Sequence, residues 1–261
     1  MCEKAFDIKF LGTCACDFSS KLETEFKNSF DKDARRASAV LINGNYLVDA
    51  GVHIIDSLRI ADINARDITD LFITHMHSDH FDIKNISIIA NEKKEPLRLY
   101  IREDAMLDAI PNVTVIRMKP YQKYSAGTGL FVTSLKANHD PETAPSHFLF
   151  EKNGIKIFYG CDGAWLLNET YNYLKGAQLS LAVLDCTVGD YEGDWRMAEH
   201  NSIPMIRLML PSLMSAKIIN NETKIYLSHI APSLHKSHKE TELIAKEFGA
   251  FVSYDGLDME V

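Results

Sequence analysis

The sequence has little positive charge, few cysteines and no long apolar run. Each of these shortages narrows the range of functions that the protein can have. Its 261 residues carry a formal net charge of −8, which disfavours long nucleic acid as a partner because that binding depends on cationic contacts with phosphates. No apolar stretch approaches the roughly 20 residues that a membrane-spanning helix needs, so no membrane partner is expected. The five cysteines are scattered and odd in number, and the first residues lack the pattern of a signal peptide. We therefore predict a cytoplasmic protein.

Segments rich in apolar residues alternate with helical patterns along the whole chain. Two hairpins are indicated by the asparagine–glycine turns at 43–45 and 153–154, and hairpins imply antiparallel pairing, so a purely parallel sheet is excluded. Helices are predicted over 81–90, 102–110, 165–175, 202–214 and 236–248, and a last strand over 251–254. The pattern predicts an α/β (α+β) fold in which two mixed β-sheets pack face to face with helices on the outer faces. No linker rich in proline, glycine or serine divides the chain, so residues 1–261 are predicted to form a single domain.

The stretch "THMHSDH" (74–80) concentrates metal-ligand residue types behind a short run of strand-forming residues. His75 and His77 are two residues apart, so in an extended chain their side chains share one face. Asp79 and His80 follow on the turn that leads into the next predicted helix. Imidazole nitrogens and carboxylate oxygens together suit zinc, manganese or iron. Histidine-rich turns also occur on protein surfaces, but four such residues in this pattern favour a metal site.

Three further residues of ligand type, His139, Asp162 and His229, each follow another apolar strand. One such residue alone is more often a helix cap or a turn residue. Four ligating side chains rarely complete a two-metal site, so additional ligands are expected elsewhere in the chain. The three residues together with the motif at 74–80 therefore predict a site for more than one metal ion.

The motifs "THMHSDH", "NHD", "GCDG" and "LSHI" resemble, in order and spacing, those of the metallo-β-lactamase superfamily of hydrolases. The resemblance covers nearly the whole chain and implies an αββα sandwich with two divalent metal ions. The implied ligands are His75, His77 and His139 for one ion, Asp79, His80 and His229 for the other, and Asp162 bridging both. Two cations about 3.5–4 Å apart can share a hydroxide and lower its pKa, so the ligand Asp79 is counted among the catalytic residues.

Two residues late in the chain favour phosphodiesters among the reactions of this superfamily. Asp185 lies in "LAVLDCT", and His200 lies in "AEHNSIP" before a predicted helix. His200 resembles the histidine that acts near the leaving group in the phosphodiesterase branch, which includes tRNA 3′-processing endonucleases and cyclic phosphodiesterases of phosphonate breakdown. A histidine can protonate a departing alkoxide, and Asp185 could accept a hydrogen bond from its ring. The alternative is that His200 is a loop residue beside a helix cap, Asn201.

The predicted function is hydrolysis of a small phosphodiester, such as a cyclic one, with His200 as proton donor. Arg35 and Arg36 precede the first hairpin, as basic residues do in the phosphonate-pathway enzymes, and arginine fits phosphate in a bidentate way. They are predicted to contact the substrate, as is Asn201; for the arginines, solvated loop charge is an equal alternative. Two other functions stay open. One is a thiolester or other carboxylic ester or amide hydrolase of the same fold, and the other is a metal-binding module without turnover.

Smaller features of the chain complete these expectations. Cys14 and Cys16 form a C-x-C pair rather than the C-x-x-C of common zinc ribbons, so metal binding and a plain loop of small residues both stay open. Asp82 is expected to start a helix rather than to accept a hydrogen bond from a metal-bound histidine. Residues 17–37 are polar and poorly periodic and are expected to form a long surface loop. The sequence does not give the oligomeric state, although a homodimer is the commonest assembly of soluble enzymes.

Overall fold

The computed structural model describes residues 6–261, so Cys2 lies outside the described part of the chain. Within that range the strands are β1 (Asp7–Gly12), β2 (Ala39–Ile42), β3 (Tyr46–Val48), β4 (Asp70–Phe72), β5 (Leu97–Arg102), β6 (Val113–Met118), β7 (Lys123–Ser125), β8 (Phe131–Lys136), β9 (Ser146–Lys152), β10 (Ile155–Gly160), β11 (Leu181–Asp185), β12 (Lys224–Ser228), β13 (Phe251–Val252) and β14 (Asp258–Glu260). The α-helices are α1 (Ile54–Ile60), α2 (Ile83–Asn91), α3 (Asn168–Leu174), α4 (Ile203–Ser215) and α5 (His238–Lys246). The strands of the described residues form two seven-stranded mixed sheets, in the orders β14-β1-β2-β3-β4-β5-β6 and β13-β12-β11-β10-β9-β8-β7.

The two sheets pack face to face, and the helices cover their outer faces. A core between the sheets takes side chains from both, among them Phe10, Phe72 and Phe150. A second apolar layer lies between the first sheet and helices α1 and α2, and a third lies between the second sheet and helices α3, α4 and α5. The central strands therefore bury both faces, which explains why their sequences are nearly continuous apolar runs. The predicted αββα sandwich of two mixed sheets is confirmed.

Each sheet has an antiparallel half and a parallel half, and the parallel halves position the polar loops. In the first sheet β3, β4, β5 and β6 run parallel, and in the second β10, β11, β12 and β13 do. The carboxyl ends of parallel strands meet at one edge of a sheet, where their loops form a crevice. β8 pairs antiparallel with β9, which pairs antiparallel with β10, so β8 also ends at this edge.

The helix predicted over 102–110 does not form. The segment is instead the end of β5, a turn and irregular chain. Arg102 ends β5 and donates two hydrogen bonds to the Asp104 carboxylate, which stabilises a turn at this point. The carbonyl oxygens of Ala105 and Leu107 accept hydrogen bonds from the Arg117 guanidinium. Contacts made by two arginines therefore override the helical propensity of this segment.

One helix and two strands were not predicted, namely α1, β7 and β14. The predicted last strand at 251–254 is shorter, and it is followed by β14, which pairs with β1 at the edge of the first sheet. The loop 17–37 is irregular apart from a short 3-10 helix, as predicted, but its last residues, 34–37, are buried. Among residues 6–261 no helix combines the length and the apolar character that crossing a bilayer requires.

Candidate metal centre

Four loops at the carboxyl edge bring the seven predicted ligands together. The loop after β4 carries four of them, and the loops after β8, β10 and β12 each carry one. Their ligand atoms fall into two groups, within each of which all atoms lie within 4.8 Å of one another: His75, His77 and His139 in one, and Asp79, His80, Asp162 and His229 in the other. Asp162 and His229 also belong to a third group of this kind, together with Asp185 and His200. The seven residues therefore lie close together, and their division between two metal ions stays a prediction.

The first group consists of three imidazole rings whose nitrogens face one another. His75 Nε2 lies 2.9 Å from His77 Nδ1, and His139 Nε2 lies 3.2 Å from the same atom. Burial, together with the charge of His80, keeps the pKa of His75 well below its usual value, and burial also lowers the pKa of His139. Both rings are therefore neutral near pH 7, which is the form in which imidazole binds zinc and similar cations.

The second group combines imidazoles with carboxylates, and all four of its residues are buried. His80 Nε2 lies 3.3 Å from Asp79 Oδ2 and 3.2 Å from His229 Nε2. Burial alone would raise the pKa of Asp79, but His80 and His229 together lower it far below its usual range. The Asp79 carboxylate is therefore charged and available as an oxygen ligand.

Asp162 lies between the two groups. Its Oδ2 is 3.5 Å from His75 Nε2 and 3.3 Å from His80 Nε2. Its Oδ1 is 2.6 Å from His229 Nδ1, yet it makes no aligned hydrogen bond. Burial opposes its charge, but His229, His200 and His80 hold the pKa of Asp162 well below its usual value. A charged, buried carboxylate that faces histidines of both groups has the position of a bridging ligand.

The donor set fits divalent metal ions. Two carboxylates and five imidazoles meet in one small volume, and buried charge is costly unless it is paired or coordinates a metal. Nitrogen and oxygen donors without a thiolate are the ligands that zinc, manganese and iron accept.

Asp49 supports the second group from behind and was not predicted. Its carboxylate accepts hydrogen bonds from His80 Nδ1 at 2.8 Å and from the amide and hydroxyl of Thr74 at 2.8 and 2.9 Å. A ligating histidine usually donates its second ring proton to an acceptor of this kind. Asp49 directly follows β3 in "NYLVDAG", so the same strand-end position that drew attention to Asp162 was present here.

A close backbone contact positions Asp79. The Ala50 amide donates to the His80 carbonyl at 2.8 Å, and the Asp82 amide donates to the Ala50 carbonyl at 2.9 Å. These two hydrogen bonds fix the end of the ligand-bearing loop 74–82 against Ala50. A Cβ atom on Gly51 would lie 1.8 Å from the Asp79 carbonyl oxygen. Because glycine alone permits this approach, Gly51 determines where the ligand Asp79 sits.

Asp185, which is buried, and His200, which is partly buried, form a pair beside the second ligand group. His200 Nδ1 lies 2.9 Å from Asp185 Oδ2 and 3.1 Å from the Thr187 hydroxyl. The same hydroxyl lies 2.8 Å from His229 Nδ1, which links the pair to the predicted ligands. Burial lowers the pKa of His200, but the Asp185 and Asp162 carboxylates outweigh it and raise the value to about 10. His200 is therefore protonated near neutral pH.

A cavity of about 420 Å³ opens onto this site, a size that suits a small molecule. Its inner wall includes predicted ligands and the proton donor, namely His77, Asp79, His139, Asp162, His200 and His229. Cys16, Asp17, Arg196 and Glu199 line the same cavity. Asp17, at the start of the predicted loop 17–37, therefore reaches the cavity, as do four residues of the segment 186–200.

The predicted substrate-binding residues do not line this cavity. Arg35 is buried and donates to the Thr13 hydroxyl and the Ser253 carbonyl. Arg36 is buried as well and donates to the carbonyls of residues 26 and 29. Solvated loop charge is therefore wrong for both arginines, and their donors serve the packing of the loop. Asn201 is buried and donates its side-chain amide to the Gly163 carbonyl at 3.0 Å.

The structure also shows where Asp82, Cys14 and Cys16 lie. The Asp82 carboxylate accepts hydrogen bonds from the amides of Lys84 and Asn85, so it caps the start of α2 as expected. Cys14 is buried, and Cys16 is exposed at the cavity wall. Within the described part of the chain, no group of candidate metal ligands includes a cysteine.

Known proteins resemble this chain both in sequence and in structure. Residues 27–110 match the family model described as anti-Pycsar protein Apyc1. A Bacillus anthracis relative named exodeoxyribonuclease YycJ is 27% identical over 213 residues, which covers 74% of this chain and 76% of that protein. The crystal structure of a metallo-β-lactamase fold protein, YhfI from Bacillus subtilis, has a TM-score of 0.76 at 14% identity and covers 98% of this chain and 100% of that one. A diphosphatase from the PhnP family has a TM-score of 0.71 at 16% identity and covers 98% of each chain.

At identities this low the two solved structures establish the fold and nothing finer. They do so over almost the entire chain, and the same architecture follows from the strand orders and apolar layers described above. The chain is therefore a protein of the metallo-β-lactamase fold.

Proposed function

We propose that this protein is a hydrolase that uses two divalent metal ions, zinc, manganese or iron, to cleave a small phosphodiester. One observation carries the proposal: the ring of His200, whose Nδ1 lies 2.9 Å from the Asp185 carboxylate, lies beside the cluster of candidate ligands. The ligand cluster supports a metal-dependent hydrolase in general. A proton donor at His200 supports, in particular, a reaction whose leaving group is an alkoxide.

The ligands divide the metal-binding work between the two groups. His75, His77 and His139 would hold one ion, Asp79, His80 and His229 the other, and Asp162 would contact both. When bound, the two cations would lower the pKa of a water nucleophile and stabilise negative charge on the phosphate oxygens. Asp49 would hold the His80 ring in the tautomer and orientation that ligation requires.

His200 supplies the proton that a leaving alkoxide needs. Its Nδ1 is held by Asp185 and Thr187, and its Nε2 has no hydrogen-bond partner among the described residues. The ring lines the cavity, so Nε2–H is the donor that remains for the substrate. Breaking the P–O bond leaves the electron pair on the departing oxygen, which takes this proton while Asp185 stabilises the charge on the ring beforehand.

A second candidate function is removal of nucleotides from a DNA end. It is favoured by the name of the relative that is 27% identical, an exodeoxyribonuclease. The net charge of −8 speaks against tight binding of long DNA, so the small phosphodiester is the first choice. Thiolester hydrolysis on the same fold would not require a protonated His200.

A substrate panel with metal-loaded protein tests the proposal. The panel holds a 2′,3′-cyclic nucleotide, a single-stranded DNA oligonucleotide, a p-nitrophenyl phosphodiester and a thiolester. We expect hydrolysis of the small phosphodiesters. Turnover of the thiolester alone would contradict the proposal, and release of mononucleotides from the oligonucleotide alone would favour the second candidate.

The variant His200→Ala tests the acid. Its turnover should fall about 10²- to 10⁴-fold on the cyclic nucleotide, and less on the p-nitrophenyl ester because p-nitrophenolate leaves without a proton. Metal content should not change. His53→Ala is the matched control, since His53 is a partly buried histidine that contacts the Ala37 amide and does not line the cavity. Equal losses on both substrates would sink the proton-donor role.

A further inference from the structure

An exposed tryptophan that the proposed function does not use lies next to a residue that lines the cavity. Trp195 begins the short helix Trp195–Ala198, and 78% of its surface is exposed. Its neighbour Arg196 lines the cavity, and the Arg196 guanidinium carbon lies 5.7 Å from the centre of the Trp195 ring. A tryptophan side chain contributes most to the free energy of binding when another group covers its large ring. An exposed indole beside a cavity-lining arginine is therefore available for a ligand to cover.

Arg196 is held in a fixed orientation next to this ring. Its Nε and Nη2 donate to the two oxygens of Asp194 at 2.8 Å each. Asp194 also accepts from the Arg196 amide at 2.9 Å and so caps the short helix. Arg196 Nη1 has no hydrogen-bond partner among the described residues. A guanidinium already oriented on one side can bind a phosphate oxygen with little loss of side-chain freedom.

The charges around the cavity limit what kind of anion fits. Arg196 is the only arginine or lysine among the described residues that line it, whereas Asp17 and Glu199 line it in addition to the candidate ligands Asp79 and Asp162. The Asp17 carboxylate is fixed there by the Ser233 amide at 2.8 Å. Apart from the candidate ligands, the lining therefore offers a long polyanion two carboxylates and one arginine. A ligand with one or two phosphates and an uncharged aromatic part avoids this repulsion.

We propose that Trp195 and Arg196 form a subsite for a nucleobase and its phosphate, so that the substrate is a mononucleotide or dinucleotide phosphodiester. This inference rests on the proposed function and names its substrate class. The base would stack on the exposed face of Trp195, because bases of every kind stack on aromatic side chains. The phosphate would accept a hydrogen bond from Arg196 Nη1 as it reaches the ligand cluster.

Tryptophan fluorescence tests the subsite without any turnover. The chain has two tryptophans, Trp165 and Trp195, so Trp165→Phe leaves Trp195 as the single indole and Trp195→Phe leaves Trp165. We expect thymidine 5′-phosphate to quench Trp165→Phe in a saturable way, and to quench Trp195→Phe little. Inorganic phosphate should quench neither. Quenching confined to Trp195→Phe would place the base at Trp165 and overturn the assignment.

Kinetics test the same subsite with two esters that share a leaving group. Thymidine 5′-(p-nitrophenyl phosphate) carries a base, and methyl p-nitrophenyl phosphate does not. Trp195→Ala should raise KM about tenfold for the thymidine ester, within the roughly 5- to 150-fold range expected from stacking on one base. It should leave kcat, and both constants for the methyl ester, unchanged. Trp195→Phe should recover most of the loss, and Leu208→Ala, which truncates a side chain that is 71% exposed on α4, is the control.

The outcomes separate this inference from the proposed function. If wild type hydrolyses both esters and Trp195→Ala changes neither KM, the subsite is wrong and the phosphodiesterase stands. If neither ester is hydrolysed, the proposed function fails, and the fluorescence titration still decides whether Trp195 binds a base. If Trp195→Ala converts a dimer to a monomer in gel filtration, the ring belongs to an interface between copies and the subsite is overturned.

Discussion

Replacing Asp49 by asparagine should weaken metal binding while leaving the fold intact. The Asp49 carboxylate is fully buried and accepts from His80 Nδ1 at 2.8 Å. It also accepts from the amide and the hydroxyl of Thr74. Asparagine has one acceptor oxygen in place of two, so one of these contacts must be lost. If Thr74 keeps the oxygen, the amide NH₂ faces His80 Nδ1 and opposes the tautomer in which Nε2 is free to bind a metal ion.

The size of the effect follows from the bond that is lost. A hydrogen bond to a charged group contributes about 1.5–3 kcal/mol, and about 1.4 kcal/mol corresponds to a factor of ten. The loss is therefore roughly 10- to 150-fold in the dissociation constant, which agrees with the 10- to 100-fold range for residues that orient metal ligands. Competition for zinc against a chromophoric chelator measures this constant directly.

Asp70→Asn is the matched control for that experiment. Asp70 is also a fully buried aspartate, but it lies at the opposite end of β4 and binds the Arg98 guanidinium through contacts of 2.8 and 2.6 Å. We expect it to lower the melting temperature and to leave zinc affinity unchanged. Wild-type zinc affinity in Asp49→Asn, or an equal loss in Asp70→Asn, would refute the role given to Asp49.

Four further predictions follow from the same geometry. Gly51→Ala should displace Asp79, because the new Cβ would lie 1.8 Å from the Asp79 carbonyl oxygen, and elemental analysis should show less bound metal; full metal content would contradict the contact. Asp185→Asn removes a carboxylate that raises the pKa of His200, so the His200 ring should lose its proton at lower pH. The pH at which kcat declines on the alkaline side should therefore decrease; an unchanged pH of decline would argue against the pairing of Asp185 with His200. Removing metal with a chelator should lower the melting temperature, since a ligand at 100 times its Kd stabilises the folded state by about 2.7 kcal/mol, and adding metal back should restore it; an unchanged melting temperature would mean that no metal stabilises the fold. Arg36→Met should lower the melting temperature without changing KM for a phosphodiester, because the Arg36 donors bind backbone carbonyls outside the cavity; a raised KM with an unchanged melting temperature would return Arg36 to the substrate.

The convergence of the candidate ligands could be predicted because each one carries two signals. His75, His139, Asp162 and His229 are ligand types, and each comes one to three residues after the end of an apolar strand. Since parallel strands end at a common edge of a sheet, position in the sequence translates into position in space. The pairing of Asp185 with His200 followed from the same rule together with the resemblance to phosphodiesterases.

The residues that were missed or misplaced depend on contacts that no local pattern encodes. Asp49 is not a ligand itself, so its part in the site appears only once His80 is seen 2.8 Å away. Arg35 and Arg36 stand in a polar stretch that predicted exposure, yet the backbone carbonyls and side chains that surround them come from residues as distant as Ser253. The helix predicted at 102–110 failed for the same reason, because Arg117, from a neighbouring strand, binds two of its carbonyls.

The central claim is that the clustered histidines and aspartates form a centre for two metal ions. The most direct test is the number of divalent metal ions bound per chain, measured by elemental analysis after the purified protein has been loaded and then dialysed. We predict two ions per chain in the wild-type protein. A wild-type protein that retains no divalent metal would contradict the claim.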